Sequence, residues 1–189
     1  MANPLALTRT PAAGTVVFLT GLPSAGKTTL ARGLSRVLQR FGFVVTILDG
    51  DEVRQKYFPE LGYSPHDREQ NVARISLFAA EIARHGGITI CSLVAPYACG
   101  RAAARELVER RHARFVEVYV STPLAICEGR DVKGLYASAK RGETRQFTGV
   151  DAPYEVPMAP DLALDTSRIG YRDCIRAMQT FVVRRDSGT

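Results

Sequence analysis

Gly21-Leu22-Pro23-Ser24-Ala25-Gly26-Lys27-Thr28 fits the pattern G-x-x-x-x-G-K-[ST], a loop that wraps backbone N–H groups around phosphate oxygens. The pattern carries weight only between a strand and a helix, and both are legible here. Val16-Val17-Phe18-Leu19 forms a short apolar run before it, and Leu30, Leu34, Val37, Leu38 and Phe41 recur at helical spacing after it. Gly21 and Gly26 permit backbone angles and a close approach that a side chain would block, so that Leu22, Pro23, Ser24 and Ala25 can curl round an anion. The helix that follows adds its positive end. Lys27 brings a full charge to the β and γ phosphates of ATP, and the Thr28 hydroxyl suits Mg²⁺ in size and hardness. Thr29 continues the helix.

The chain of 189 residues, 46% of them hydrophobic, predicts one domain over residues 15 to 185, preceded by a flexible leader at 1 to 14 that contains Pro4, Pro11 and Gly14. Its 25 basic and 19 acidic residues give a net charge of +6, which suits anionic ligands. The basic residues are dispersed and lack interleaved aromatics, which speaks against nucleic acid as a partner. Cys91, Cys99, Cys127 and Cys174 have no C-x-x-C spacing and read as reduced, apolar residues; His66, His85 and His112 are scattered. No apolar run approaches the length that spans a bilayer, and no signal peptide opens the chain, so the expectation is a cytoplasmic protein without a membrane partner.

Further strands are expected at 43–48, 88–94, 115–120 and 162–164, with helices from Asp67 to His85, from the Ala98 region to about Arg111, from Pro123 to about Asp131, and from Tyr171 to Val183. Ser64 or Asp67 caps the first of these helices. Alternating strands and helices imply an α/β architecture with a mostly parallel sheet flanked by helices in three layers, the P-loop NTPase fold. Asp49-Gly50-Asp51 ends the second strand. It is either a surface turn or a pair of carboxylates at a strand tip, where open α/β sheets collect ligands, with Gly50 dividing their roles. Residues 132 to 157 show no clear element and carry Lys133, Lys140, Arg141, Arg145, Tyr136, Phe147 and Tyr154. That stretch reads as a solvated loop or as a mobile lid that shuts over phosphates and a base.

The chain resembles the adenylylsulfate kinases, which phosphorylate the 3′-hydroxyl of adenosine 5′-phosphosulfate (APS) with ATP to give PAPS and ADP. The likeness rests on the loop through Thr29, Leu48-Asp49-Gly50-Asp51, Leu61-Gly62-Tyr63-Ser64-Pro65-His66-Asp67-Arg68, Arg130-Asp131-Val132-Lys133-Gly134-Leu135-Tyr136, and Phe147-Thr148-Gly149-Val150-Asp151-Ala152-Pro153-Tyr154-Glu155. It implies that Asp49 stands at the reacting hydroxyl as base or as orienter of a metal-bound water, while Lys27, Thr28 and Arg130 serve ATP and Mg²⁺. It implies further that Arg54, Arg68 and Asn71 hold the phosphosulfate and sugar side of APS, beside Asp51. Phe147 would fold in from the lid to stack on adenine opposite Tyr63, and Lys133, Gly134 and Leu135 would form the APS-facing lid base. A homodimer, and kinship with fusions to sulfate adenylyltransferase, follow from the same resemblance.

Three positions depart from that pattern. Tyr63 stands where phenylalanine is usual, Glu52 where asparagine commonly follows Asp-Gly-Asp, and Ala95 where many relatives have serine. The alternatives to an APS kinase are a P-loop kinase with another small-molecule acceptor and a non-catalytic domain that senses PAPS or a nucleotide.

Overall fold

The computed structural model of the protein describes residues 14–183. The leader assigned to 1 to 14 therefore lies, Gly14 excepted, outside the described residues. Five strands, β1 (Thr15–Thr20), β2 (Val45–Asp49), β3 (Ile88–Ser92), β4 (Arg114–Val120) and β5 (Leu162–Leu164), form one parallel sheet in the order β2-β3-β1-β4-β5. The central strand is therefore the one that leads into the phosphate loop.

The alternation along β1 explains the layers. Val17 and Leu19 point to one face of the sheet and Val16 and Phe18 to the other, as successive strand residues must. On the first face, helices α1 (Lys27–Arg40) and α7 (Tyr171–Val183) bury Leu30, Leu34, Leu38, Ile175 and Met178. On the second, α2 (Gly50–Tyr57), α3 (Pro65–Arg84) and α4 (Ala98–Glu109) bury Val53, Val72, Ile75, Ala79, Ala104 and Val108. Helices α5 (Leu124–Arg130) and α6 (Leu135–Lys140) follow β4, and Cys127 of α5 and Tyr136 of α6 join the first core. Among the described residues no helix is long and apolar enough to cross a membrane.

Several boundaries differ from the sequence reading, each for a local reason. The second strand runs Val45–Asp49, so that Asp49 pairs with Ser92 as the last residue of the ladder. The third stops at Ser92, two residues early: Leu93 N–H still donates to Leu19 O, but Ala95 enters the left-handed region at a φ of 42° and ends the extended run. The third helix begins at Pro65, with Ser64 as cap: Asp67 N–H donates to Ser64 Oγ at 3.2 Å, and proline suits the first turn.

Two helices were not legible. In α2, Asp49 caps its own following turn by accepting from Asp51 N–H, and Asp51 and Glu52 place negative charge at the helix start. Gly50 lets the chain pass close to β3: a Cβ would come within 2.4 Å of Leu93 Cδ2, so that side chain would have to shift. In α6, inside the stretch expected to lack structure, the Asp131 carboxylate accepts from Tyr136 N–H and Ala137 N–H, each at 3.0 Å. That one side chain supplies the acceptors that two free helix-start amides need.

Candidate active site

The C-terminal tips of β1, β2 and β3 meet at one cavity. Lys27, Thr28, Asp49, Asp51, Arg54, Tyr63, Arg68 and Asn71 all line it, together with Gly50, Val72 and the stretch 92–96. Eight residues singled out from sequence are thereby brought to one place.

On the phosphate side, Gly26 adopts a φ of 106° just before α1, a conformation glycine tolerates and other residues resist. A Cβ on Gly21 would lie 2.6 Å from Val120 O. The loop is thus fitted closely against the sheet at Gly21, while at Gly26 it is the backbone angle that calls for glycine. Lys27 Nζ donates to Gly21 O at 2.9 Å and to Leu22 O at 2.7 Å, folding back over its own loop. Arg130, at the end of α5, lies against the same loop: its Nη1 donates to Ala25 O at 3.3 Å and to Thr166 Oγ1 at 2.8 Å.

Burial lowers the Lys27 ammonium from its ordinary value to about 8, with Asp51 the strongest opposing influence. A bound triphosphate adds negative charge beside it and pushes the value back up. Titration calorimetry of ATP binding at pH 9, repeated in buffers of different ionisation enthalpy, should therefore record uptake of nearly one proton that vanishes at about pH 6.5. Binding at pH 9 without proton uptake would mean that the lysine is charged before the nucleotide arrives.

On the acceptor side, the two aspartates do different things. Asp49 Oδ2 accepts from Thr28 Oγ1 at 2.8 Å and its Oδ1 from Asp51 N–H at 3.1 Å, so the carboxylate is fixed between the phosphate loop and α2. Asp51 instead turns outward and pairs with Lys133 Nζ at 2.6 Å; that hydrogen bond raises the lysine's pKa. Ser92, missed in the sequence, brings its Oγ to 3.2 Å from Thr28 Oγ1. Its place at the tip of β3, beside the tip of β1, was the signal that could have found it.

Thr28, Asp49 and Ser92 form a compact set of hard oxygens, the donor chemistry that Mg²⁺ takes, with room for phosphate oxygens and water to complete the shell. Among the described residues there is no cluster of three or more His, Cys, Asp or Glu that could hold a metal by itself.

Arg54 lies 4.7 Å over the Tyr63 ring and donates to Gly62 O. Asn71 is 4% exposed, and its Oδ1 has no hydrogen-bond partner, an acceptor buried in the cavity wall. Arg68 is almost as buried, and each of its three guanidinium nitrogens donates once: Nε to Tyr63 O at 2.9 Å, Nη1 to Thr148 Oγ1 at 2.9 Å, and Nη2 to Gln146 O. It ties the turn at 146–148 to α3. Burial pulls its pKa down from the usual arginine range.

Four residues expected on the acceptor side stand apart from the cavity lining. Phe147 is buried edge-on against Tyr136, ring centroids 4.9 Å apart, while Tyr63 is more than half exposed. Gly134 is the left-handed residue that starts α6, Leu135 is the first residue of that helix, and Lys133 reaches the site through Asp51 alone.

Comparison with known proteins matches the family model described as adenylylsulphate kinase over residues 13–165. An adenylyl-sulfate kinase of Synechococcus sp. (strain JA-3-3Ab) is 46% identical over 86% of this chain and 90% of its own. One from Halothermothrix orenii is 47% identical over 82% of each. Among solved structures, the Mycobacterium tuberculosis APS kinase in complex with AMPPNP and APS superposes with a TM-score of 0.86 at 37% identity, covering 90% of this chain and 99% of that one.

Proposed function

The chain belongs to the adenylylsulphate kinase family, and from that premise we propose that it transfers the γ-phosphoryl group of ATP to the 3′-hydroxyl of APS, yielding PAPS and ADP in sulfate assimilation. The observation that carries this reading is the single cavity in which Lys27 and Thr28 of the phosphate loop face Asp49, with Arg54, Arg68 and Asn71 on the far wall.

The loop from Gly21 to Thr29 wraps the ATP phosphates, and Arg130 closes it from the side. Lys27 exchanges its two carbonyl partners for phosphate oxygens and follows the charge that builds there during transfer. Thr28 and Asp49 would hold Mg²⁺, which when bound would supply charge neutralisation on the phosphates. Asp49 accepts the proton of the 3′-hydroxyl or orients it for attack; either role requires the carboxylate to stay fixed, as its two hydrogen bonds ensure.

On the APS side, the forks of Arg54 and Arg68 suit phosphosulfate oxygens, and Asn71 Oδ1 accepts from a ribose hydroxyl. Tyr63 gives one face of an adenine clamp. Phe147 completes it when the segment 132–157 closes, a movement that carries Lys133, Gly134 and Leu135 over the substrate and excludes water. A homodimer in the cytoplasm, related to fusions with sulfate adenylyltransferase, belongs to the same reading.

The test is a coupled assay of ADP release with APS and Mg-ATP, using 3′-deoxy-APS as control. Turnover with APS and none with the deoxy acceptor is the expected result. Turnover with sugar or nucleoside alcohols but not APS would assign a different acceptor, and ATP binding without turnover on any acceptor would make the chain a sensor.

A further inference from the structure

One wall of the acceptor cavity is the segment from Leu93 to Pro96, and Ala95 within it sits at a φ of 42°, where alanine does not rest by choice. The residue that holds it is Arg101, in the first turn of α4 and 4% exposed. Its Nη1 donates to Ala95 O at 2.9 Å, its Nη2 to Glu155 O at 2.7 Å, and its Nε lies 3.0 Å from Glu117 Oε1 on β4.

The same junction is pinned from the other side. Glu155 N–H donates to Pro96 O at 2.8 Å, so residue 155 binds the cavity wall as well as Arg101. The neighbouring Tyr154 hydroxyl shares a hydrogen bond of 2.9 Å with Thr20 Oγ1, which itself donates to Val94 O at 2.7 Å. Thr20 is the last residue before the phosphate loop. The loop, the cavity wall and the returning arm of the 132–157 segment thus share one buried knot. An apolar side chain of similar volume could fill the space, but only a rigid fork of N–H groups reaches two carbonyls of different segments and a carboxylate at once.

We infer that Arg101 is a positioning residue for the acceptor: by clamping Ala95 to the arm at 154–155 it sets where the acceptor lies relative to the phosphate loop. This rests on the reading of the cavity as the APS site. The wild-type assay with APS tests that reading by itself, so that its failure would be seen before any variant is compared.

Arg101→Met in the full chain should raise KM for APS at least tenfold while ATP affinity, measured without APS, stays within twofold. Arg101→Lys, which can still reach one carbonyl, should recover part of the loss. A role in folding alone would lower capture of both substrates together, or lower only the folded fraction. Because removing the guanidinium leaves the Glu117 carboxylate with only the more distant Arg105, 3.9 Å away, Arg101→Met is also paired with Glu117→Leu, an exchange of a buried ion pair for apolar groups. Should neither fold, Tyr154→Phe decides: it deletes one hydroxyl and should raise KM for APS about threefold with ATP affinity unchanged. An unaltered KM for APS in a folded Arg101 variant, or in Tyr154→Phe where only that folds, would overturn the inference, and so would an equal loss for ATP.

Discussion

Asp49→Asn should lower turnover by about 10²–10⁴-fold, the range for loss of a general base, while ATP affinity changes by no more than a few-fold. The amide keeps the size of the side chain and an oxygen to accept from Asp51 N–H, so the cap of α2 survives and with it the packing of Val53. What is lost is the negative charge at the oxygen that now accepts from Thr28. An amide cannot take a proton from a hydroxyl, and it gives a weaker grip on water bound to the metal. Single-turnover measurements with ATP already bound separate this from nucleotide capture. Turnover within tenfold of wild type would remove Asp49 from the reacting hydroxyl.

Lys27→Met should abolish the rise in melting temperature that ATP gives the wild type, yet leave the melting temperature without nucleotide unchanged or slightly higher. The first half follows from removing a buried charged partner of the phosphates, worth about 2–5 kcal/mol. The second follows from the lowered pKa. A lysine whose folded value of about 8 lies below its ordinary 10.5 opposes folding at neutral pH, by about 3 kcal/mol from the size of the shift. That cost is fully present below pH 8 and fades between pH 8 and 10.5, as the unfolded chain also loses its proton. Methionine removes the cost and forfeits two hydrogen bonds to Gly21 O and Leu22 O, about 1 kcal/mol each. Scanning calorimetry with and without Mg-ATP checks both halves. A variant much less stable than wild type without nucleotide would show that the lysine supports the loop more than its burial opposes the fold.

The sheet was legible because β1, β3 and β4 are buried on both faces and leave runs rich in apolar and β-branched residues, interrupted in β4 only by Glu117, and the phosphate loop because glycine geometry is written directly in the sequence. Helices α2 and α6 were not, because each is started by a carboxylate several bonds from the amide it satisfies. Asp49 doing duty as both strand end and cap makes Asp-Gly-Asp look like a turn, and Asp131 reaches five and six residues ahead. The site shows the same division. Residues of the phosphate loop and the strand tips fell into place from motif and spacing, and Arg68 and Asn71 of α3 from the family resemblance, whereas Ser92 and Arg101 matter through contacts between distant segments that no local pattern records. Phe147 illustrates the remaining gap: its residue type suits an adenine face, but its ring packs on Tyr136, a partner that only tertiary structure reveals.

Each nitrogen of the Arg68 guanidinium already donates once, to Tyr63 O, Gln146 O and Thr148 Oγ1, which leaves two of its five N–H groups uncommitted. An incoming oxyanion that takes more than those two must win N–H groups from the protein's own chain, and the chain stands ready to take them back. Such rivalry tempers tightness and quickens departure: a product that loosens for an instant finds its place reclaimed. A catalyst obliged to release a nucleotide more highly charged than the one it admitted gains from having a competitor built into its own backbone.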